Sequence, residues 1–383
     1  MRRALLALAV LLVLPASTEA APPWSAPRDV SGPFTFVDGL WTGFGLIGWR
    51  SEDGEAGAPA GRVGDPVFYG SNSGAVAIVR RSQLRVAFAR PGGDFGRSQL
   101  VATGRRIASP VVYGNAHDDL AIAWFDDRGT RNDRVWVALQ RARRPISAPI
   151  RIATGRVRSV SVAIGSRGDV VVAWDARGKV RARVRRRGRA RFGAAETIRS
   201  GPAYSVALQT GMSASGLAYV GWSAQRLTEG GDRGRGYYEV AVRPADAARF
   251  RRAQRLERIG ADQAVVPLRL ALSGHGRALV AWTGDRVRAA ESDASGRFGP
   301  PHTLSAPGAE LTDVYAAVDG PRVVVWTAPG PVVQASYTPF GAPFGPPEDV
   351  GSGEGARLGY PLAVVWQVRL GDGVHVQQAT RAG

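Results

Sequence analysis

The side chains that could do chemistry are few and scattered. Four histidines, His117, His275, His302 and His375, fall in separate stretches beside turn-forming residues. Histidine is the usual acid–base group near neutral pH, but it works only with a second group fixed beside it. No HExxH, no GxSxG and no phosphate-binding loop is present. The four are therefore read as turn residues facing solvent. Asp126, Asp127 and Asp285 each follow a short apolar run, where carboxylates from different loops could meet and share acid–base work. Aspartate is also an ordinary turn residue. His117-Asp118-Asp119 lacks the alternating acidic spacing of a calcium loop. With no cysteine, thiol catalysis, thiolate metal sites and disulfides are excluded. No cofactor and no metal is expected.

Charge is the stronger signal. The chain of 383 residues carries 50 Lys and Arg against 32 Asp and Glu, a formal net charge of +18, and Lys179 is its only lysine. Seven arginines crowd into residues 181–191. A guanidinium fork bonds phosphate or carboxylate at two points. Arg181, Arg183, Arg185, Arg186 and Arg187 are thus a candidate polyanion patch, projecting outward from a sheet rim; a merely solvated face is the competing reading. No aromatic residues interleave with the run, so sequence-specific nucleic-acid reading is not expected.

These residues hang on a repeat. A short apolar run ends in tryptophan at Trp124, Trp174, Trp222, Trp282, Trp326 and Trp366, with spacings of 50, 48, 60, 44 and 40. Ala75–Val79 takes the same place one unit earlier, with Val for Trp. The unit at 159–198 gives the local structure: an alternating strand, a turn at Ser166-Arg167-Gly168, and a continuous apolar strand ending at Trp174. A half-exposed strand from Lys179 and a final strand near Phe192–Ile198 follow. Four strands per 40–60 residues predict an all-β, single β-propeller. Seven units are counted. The last lacks its fourth strand, and Trp24–Val30 matches the missing segment, so the N-terminal strand is expected to close the ring. Leu40–Trp49 reads as an extra strand, either a hairpin on the first unit or a degenerate eighth blade. The periodic tryptophans are core wedges; Trp24, Trp41 and Trp136 fall outside that explanation and are weaker carbohydrate candidates.

Arg2-Arg3, the apolar run Ala4–Leu14 and small residues up to Ala20 read as a secretory leader at 1–20, with the propeller at 21–383. The run is too short to span a bilayer, and no later segment is long enough. The apolar-Ala-Trp runs with the Phe344-Gly-Pro-Pro type of landmark resemble the repeat propellers exported by high-GC Gram-positive bacteria. That resemblance implies an exported propeller and says almost nothing of chemistry.

Long loops that depart from the scaffold are where binding residues concentrate. Two stand out: Phe125–Asp133, with Asp126, Asp127 and Arg131, and Ser223–Gly236, with Arg226, Asp232, Arg233 and Arg235, followed by Tyr237. The expected function is an exported, monomeric, non-catalytic binding or scaffold module. Its partner would be an anionic polysaccharide, wall polymer, other glycan or envelope protein. The alternative is a glycan hydrolase or lyase with acidic residues at the channel mouth. N-terminal sequencing of the exported protein is expected to begin at Ala21; a mature chain that retains residues 1–20 would contradict the leader.

Overall fold

The computed structural model describes residues 23–34, 37–43, 46–51, 54–56, 62–63, 67–69, 73–89, 96–129, 132–142, 144–200, 204–227, 233–261, 263, 266–272, 276–316, 321–339, 342–359 and 363–381. All regular structure among them is strand. Seven antiparallel sheets carry four strands each along their main path, in chain order from the innermost strand a to the outermost strand d. We number them 1 to 7: residues 62–103, 107–154, 159–199, 204–259, 269–303, 310–352, and 354–380 completed by Arg28–Phe34. In sheet 1 strand a is interrupted into Arg62–Val63 and Val67–Tyr69, both paired with Ser73–Arg80.

Sheet 7 takes its fourth strand from the start of the chain. Arg28 pairs with Gln378 and Phe34 with Val374, as ring closure requires. The additional run is not a hairpin on sheet 1. Val37–Gly43, Leu46–Ser51 and Gly54–Ala56 form a separate three-stranded sheet, whose first strand packs on strands a and b of sheet 7. The same pattern of strand a against strands a and b joins sheets 2 to 3 and 3 to 4.

Strand b explains why the sheets stack. It is hydrophobic on both faces because each face meets a neighbouring sheet, and Val170–Ala176 is buried from Val170 to Asp175. Trp174 faces sheet 2, beside Val137 and Ile152, while Val171 and Ala173 face sheet 4. Trp124, Trp222, Trp282, Trp326 and Trp366 are likewise at most 2% exposed. Each is worth about 3–5 kcal/mol against alanine. Strand c alternates because one of its faces borders a partly open seam.

Space for these rings is tight at sheets 6 and 7. Gly351, on strand d of sheet 6, lies where an added Cβ would run into the Trp366 indole. A rigid ring cannot yield as a flexible side chain would. Gly351→Ala should therefore lower stability by about 1–3 kcal/mol, read as a lower urea midpoint at unchanged slope. An unchanged midpoint would show that the seam is slack.

Candidate functional site

Six seams between neighbouring sheets are each built around one strand-b tryptophan and the residue opposite it on strand c. The pairs are Trp124–Trp136, Trp174–Arg181, Trp222–Glu239, Trp282–Arg288, Trp326–Gln334 and Trp366–Gln377. Later seams close themselves. The Trp282 and Arg288 N–H groups both donate to Glu257 of sheet 4. Trp326 Nε1 donates to Gln334 Oε1 at 2.9 Å, and Trp366 Nε1 to the Ser352 carbonyl at 2.8 Å.

The seam of sheets 1 and 2 is different. Its strand-c residue is a second tryptophan, Trp136, half-buried where the others are polar. Facing it, strand d of sheet 1 offers Val101, Ala102 and Leu100, the last 51% exposed. A cleft of about 490 Å³ opens between them, with Thr103, Asp126, Arg128 and Arg134 on its polar side. That volume lies within the ordinary range of ligand pockets. Asp126 is buried; it accepts Arg106 N–H at 3.3 Å and Arg128 Nε–H at 3.1 Å.

The other candidates are dispersed. Asp127 accepts Gly129 N–H at 2.8 Å and faces a second cleft with Asp133, Arg156 and Arg158. Asp285 pairs with Arg288 at 3.0 Å and Arg286 at 3.6 Å. Arg131, Asp232 and His275 lie outside the described residues. The long loop expected at Ser223–Gly236 is mostly strand: Arg226 lies in strand b (Ala218–Leu227) and Arg233 and Arg235 in strand c (Arg233–Arg243), because the hairpin register carries on to Leu227 and Arg233. Arg235 is exposed, and Tyr237 turns into the seam of sheets 3 and 4. There Arg199 and Arg255 lie 4.3 and 5.0 Å from its ring centre, and both pair with Glu239. Burial lowers the Arg199 pKa against the pull of Glu239.

The arginine run is not the outward patch expected. Strand pairing sets Arg181 opposite Trp174 and Arg183 opposite Val172, so these side chains lie half-buried on the face turned to sheet 2. Arg186 donates to the Gly216 and Pro244 carbonyls of sheet 4 at 3.3 and 3.1 Å. Only Arg187 of the five is exposed.

The histidines differ from expectation once. His117 and His302 are exposed, but His375 is buried on strand c of sheet 7 (Gly373–Thr380). Its ring lies 2.9 Å from Asp372 and 3.3 Å from Asp29 of the closing strand. The hydrogen bond from His375 holds the Asp372 carboxyl below its usual range.

One carboxylate has no motif around it in sequence. Asp313, on strand a of sheet 6, accepts Val314 N–H at 2.9 Å and Leu358 N–H of sheet 7 at 3.1 Å. Burial raises its pKa, against Arg269 of sheet 5 and Arg357 of sheet 7. Only the meeting of three innermost strands assembles this group. Among the described residues no cluster of three or more His, Asp or Glu is placed to hold a metal.

No family model matches the sequence, and no curated protein does. Among solved structures the chain is similar to the BP39L lectin of Burkholderia pseudomallei, at 13% identity and TM-score 0.52 over 85% of this chain and 97% of that one. It is similar to a PL25 polysaccharide lyase, an ulvan lyase, at 11% identity and TM-score 0.50 over 93% and 95%. A prolyl endopeptidase aligns at 12% identity and TM-score 0.48 over 93% of this chain, which spans about half, 54%, of that protein. At these identities the likeness is one of fold.

A carboxyl raised by burial stabilises the fold below its unfolded value, near 3.9, and that contribution is lost as pH rises through the folded value. Asn does not titrate. Asp313→Asn should therefore gain stability relative to the wild type between about pH 4 and pH 7, on top of a constant cost for the lost acceptor. Thermal melts across that range check it; a difference independent of pH would contradict the raised carboxyl.

Proposed function

We propose that this chain is an exported, non-catalytic binding propeller that takes a sugar ring in the cleft between sheets 1 and 2. One observation carries the reading: Trp136 departs from the polar residue found opposite each of the other five strand-b tryptophans and leaves an aromatic face beside an open cleft. A pyranose has an apolar C–H face and a rim of hydroxyls. The C–H face suits the electron-rich face of an indole. The hydroxyls suit Arg134, Thr103 and Asp126, which strands hold in place, and Arg128, which pairs with Asp126.

The leader-like residues 1–20 support export. Among the described residues no helix is long and apolar enough to cross a membrane. The lectin and the polysaccharide lyase of similar fold make a glycan ligand a reasonable class to test. Hydrolysis or elimination needs free acid–base groups, in the glycosidase case two carboxyls about 5–10 Å apart. Asp126, Asp127 and Asp285 are instead each engaged by neighbouring backbone N–H groups or arginines, which favours binding over catalysis.

Titration calorimetry with a panel of neutral oligosaccharides tests this. Trp136→Ala should weaken binding about tenfold or more while the melting temperature changes little, since the ring is only half-buried. A wild type that binds no neutral sugar, or a variant that binds as tightly, would overturn the proposal.

A further inference from the structure

We propose a second ligand site in the next seam: strand c of sheet 3 presents a row of cations that grips an acidic polysaccharide through its carboxylate or sulfate groups. Lys179, Arg181, Arg183 and Arg185 alternate on one face of Lys179–Arg185, while Val180, Ala182 and Val184 fill the core on the other. Residues two apart on a strand are about 7 Å apart, so the row is about 20 Å long. Such a straight, evenly spaced array matches an extended chain bearing regularly spaced anions.

The row is short of partners. The Arg183 side chain has neither an ion pair nor a hydrogen bond among the described residues, and the Nε atoms of Arg181, Arg183 and Arg185 are buried without an acceptor. Arg181 lies over the Trp174 ring at 5.9 Å and Arg185 over Phe192 at 5.9 Å, so aromatic faces hold the stems. The neighbouring wall cannot neutralise them. On strand d the residue opposite Arg181 is Thr197, exposed, and sheet 2 contributes Ile150 and Ile152 to the core beneath. At one end, the carboxylates Asp119 and Asp169 face Arg185 together with the opposing cation Arg141. Burial lowers the Arg185 pKa, the mark of a guanidinium partly stripped of water. Arg183, half-buried and with no ion pair among the described residues, gains more from an arriving oxyanion than a solvated guanidinium does.

The turn that follows supplies the control. Arg187, Arg189 and Arg191 are exposed and lie outside the alternating face. A binding mode driven only by the net charge of +18 would use them equally well.

The experiment measures retention of three full-length proteins on immobilised polygalacturonate, sulfated dextran, neutral dextran and single-stranded DNA across a salt series. They are the wild type, Arg181→Gln/Arg183→Gln/Arg185→Gln, and Arg187→Gln/Arg189→Gln/Arg191→Gln. The wild type should bind at least one acidic polysaccharide and not neutral dextran. The strand variant should lose about tenfold or more, with a log–log salt slope smaller by about two to three; the turn variant should lose less than about twofold. Arg183→Gln alone orphans no partner, so its weaker but measurable loss keeps the test valid if the triple variant folds poorly. Polygalacturonate and sulfated dextran distinguish carboxylate from sulfate. Equal losses in both triple variants, tighter binding to DNA than to either acidic polysaccharide, or no binding by the wild type would each overturn the proposal. Trp136→Ala should leave this binding unchanged, so the two sites fail separately.

Discussion

The fold depends on burying strand b on both faces. A sheet alone can cover neither face of a strand as apolar as Ala278–Thr283, so each sheet needs a neighbour on either side. Trp282, fully buried beside Leu256 and Ile259 of the preceding sheet, illustrates the wedge that sets the spacing. The same demand explains why the chain start returns to pair with the chain end: Arg28–Phe34 covers the open edge of Gly373–Thr380, and Asp29 meets the buried His375 ring across that junction.

Once the wedge is fixed, the residue opposite it on strand c is free to vary, and it decides what each seam can do. Gln334 and the Glu257–Arg288 pair satisfy their indole N–H groups and close their seams with internal hydrogen bonds. Trp136 and Arg181 do not. One leaves an aromatic wall beside a cleft, and the other begins a row of cations over an apolar floor. The seams of Trp136 and Arg181 are adjacent, on either side of sheet 2, which places both proposed sites next to each other on the ring; the Trp222 N–H is also unpaired, but there Glu239 is taken up by Arg199 and Arg255.

Much of this was legible in sequence because the repeat is local and periodic. The Trp spacing, the alternation of Lys179–Arg185 and the match of Trp24–Val30 to a missing strand gave the sheets, the half-exposed strand and the closure. What was hidden depends on neighbours far along the chain. The alternation told which arginines share a face, but only stacking on sheet 2 told that the face lies in a seam. The polarity around Arg226, Arg233 and Arg235 reads as a loop in sequence and hides a hairpin whose register continues to Leu227 and Arg233. His375 sits beside a turn, and its burial follows from a strand more than 340 residues earlier. Asp313 carried no signal at all, since its environment is made by strands from three sheets.

Hydroxyl-radical footprinting of the wild type with a neutral oligosaccharide panel and with an acidic polysaccharide tests most directly whether the seams flanking sheet 2 are the binding surface. Trp136 should be protected by a neutral ligand and Phe192, beside Arg185, by an acidic one, with Trp326 and Trp366 unchanged. Protection confined to the other seams or to loop ends, with Trp136 and Phe192 oxidised at the same rate with and without ligand, would contradict it.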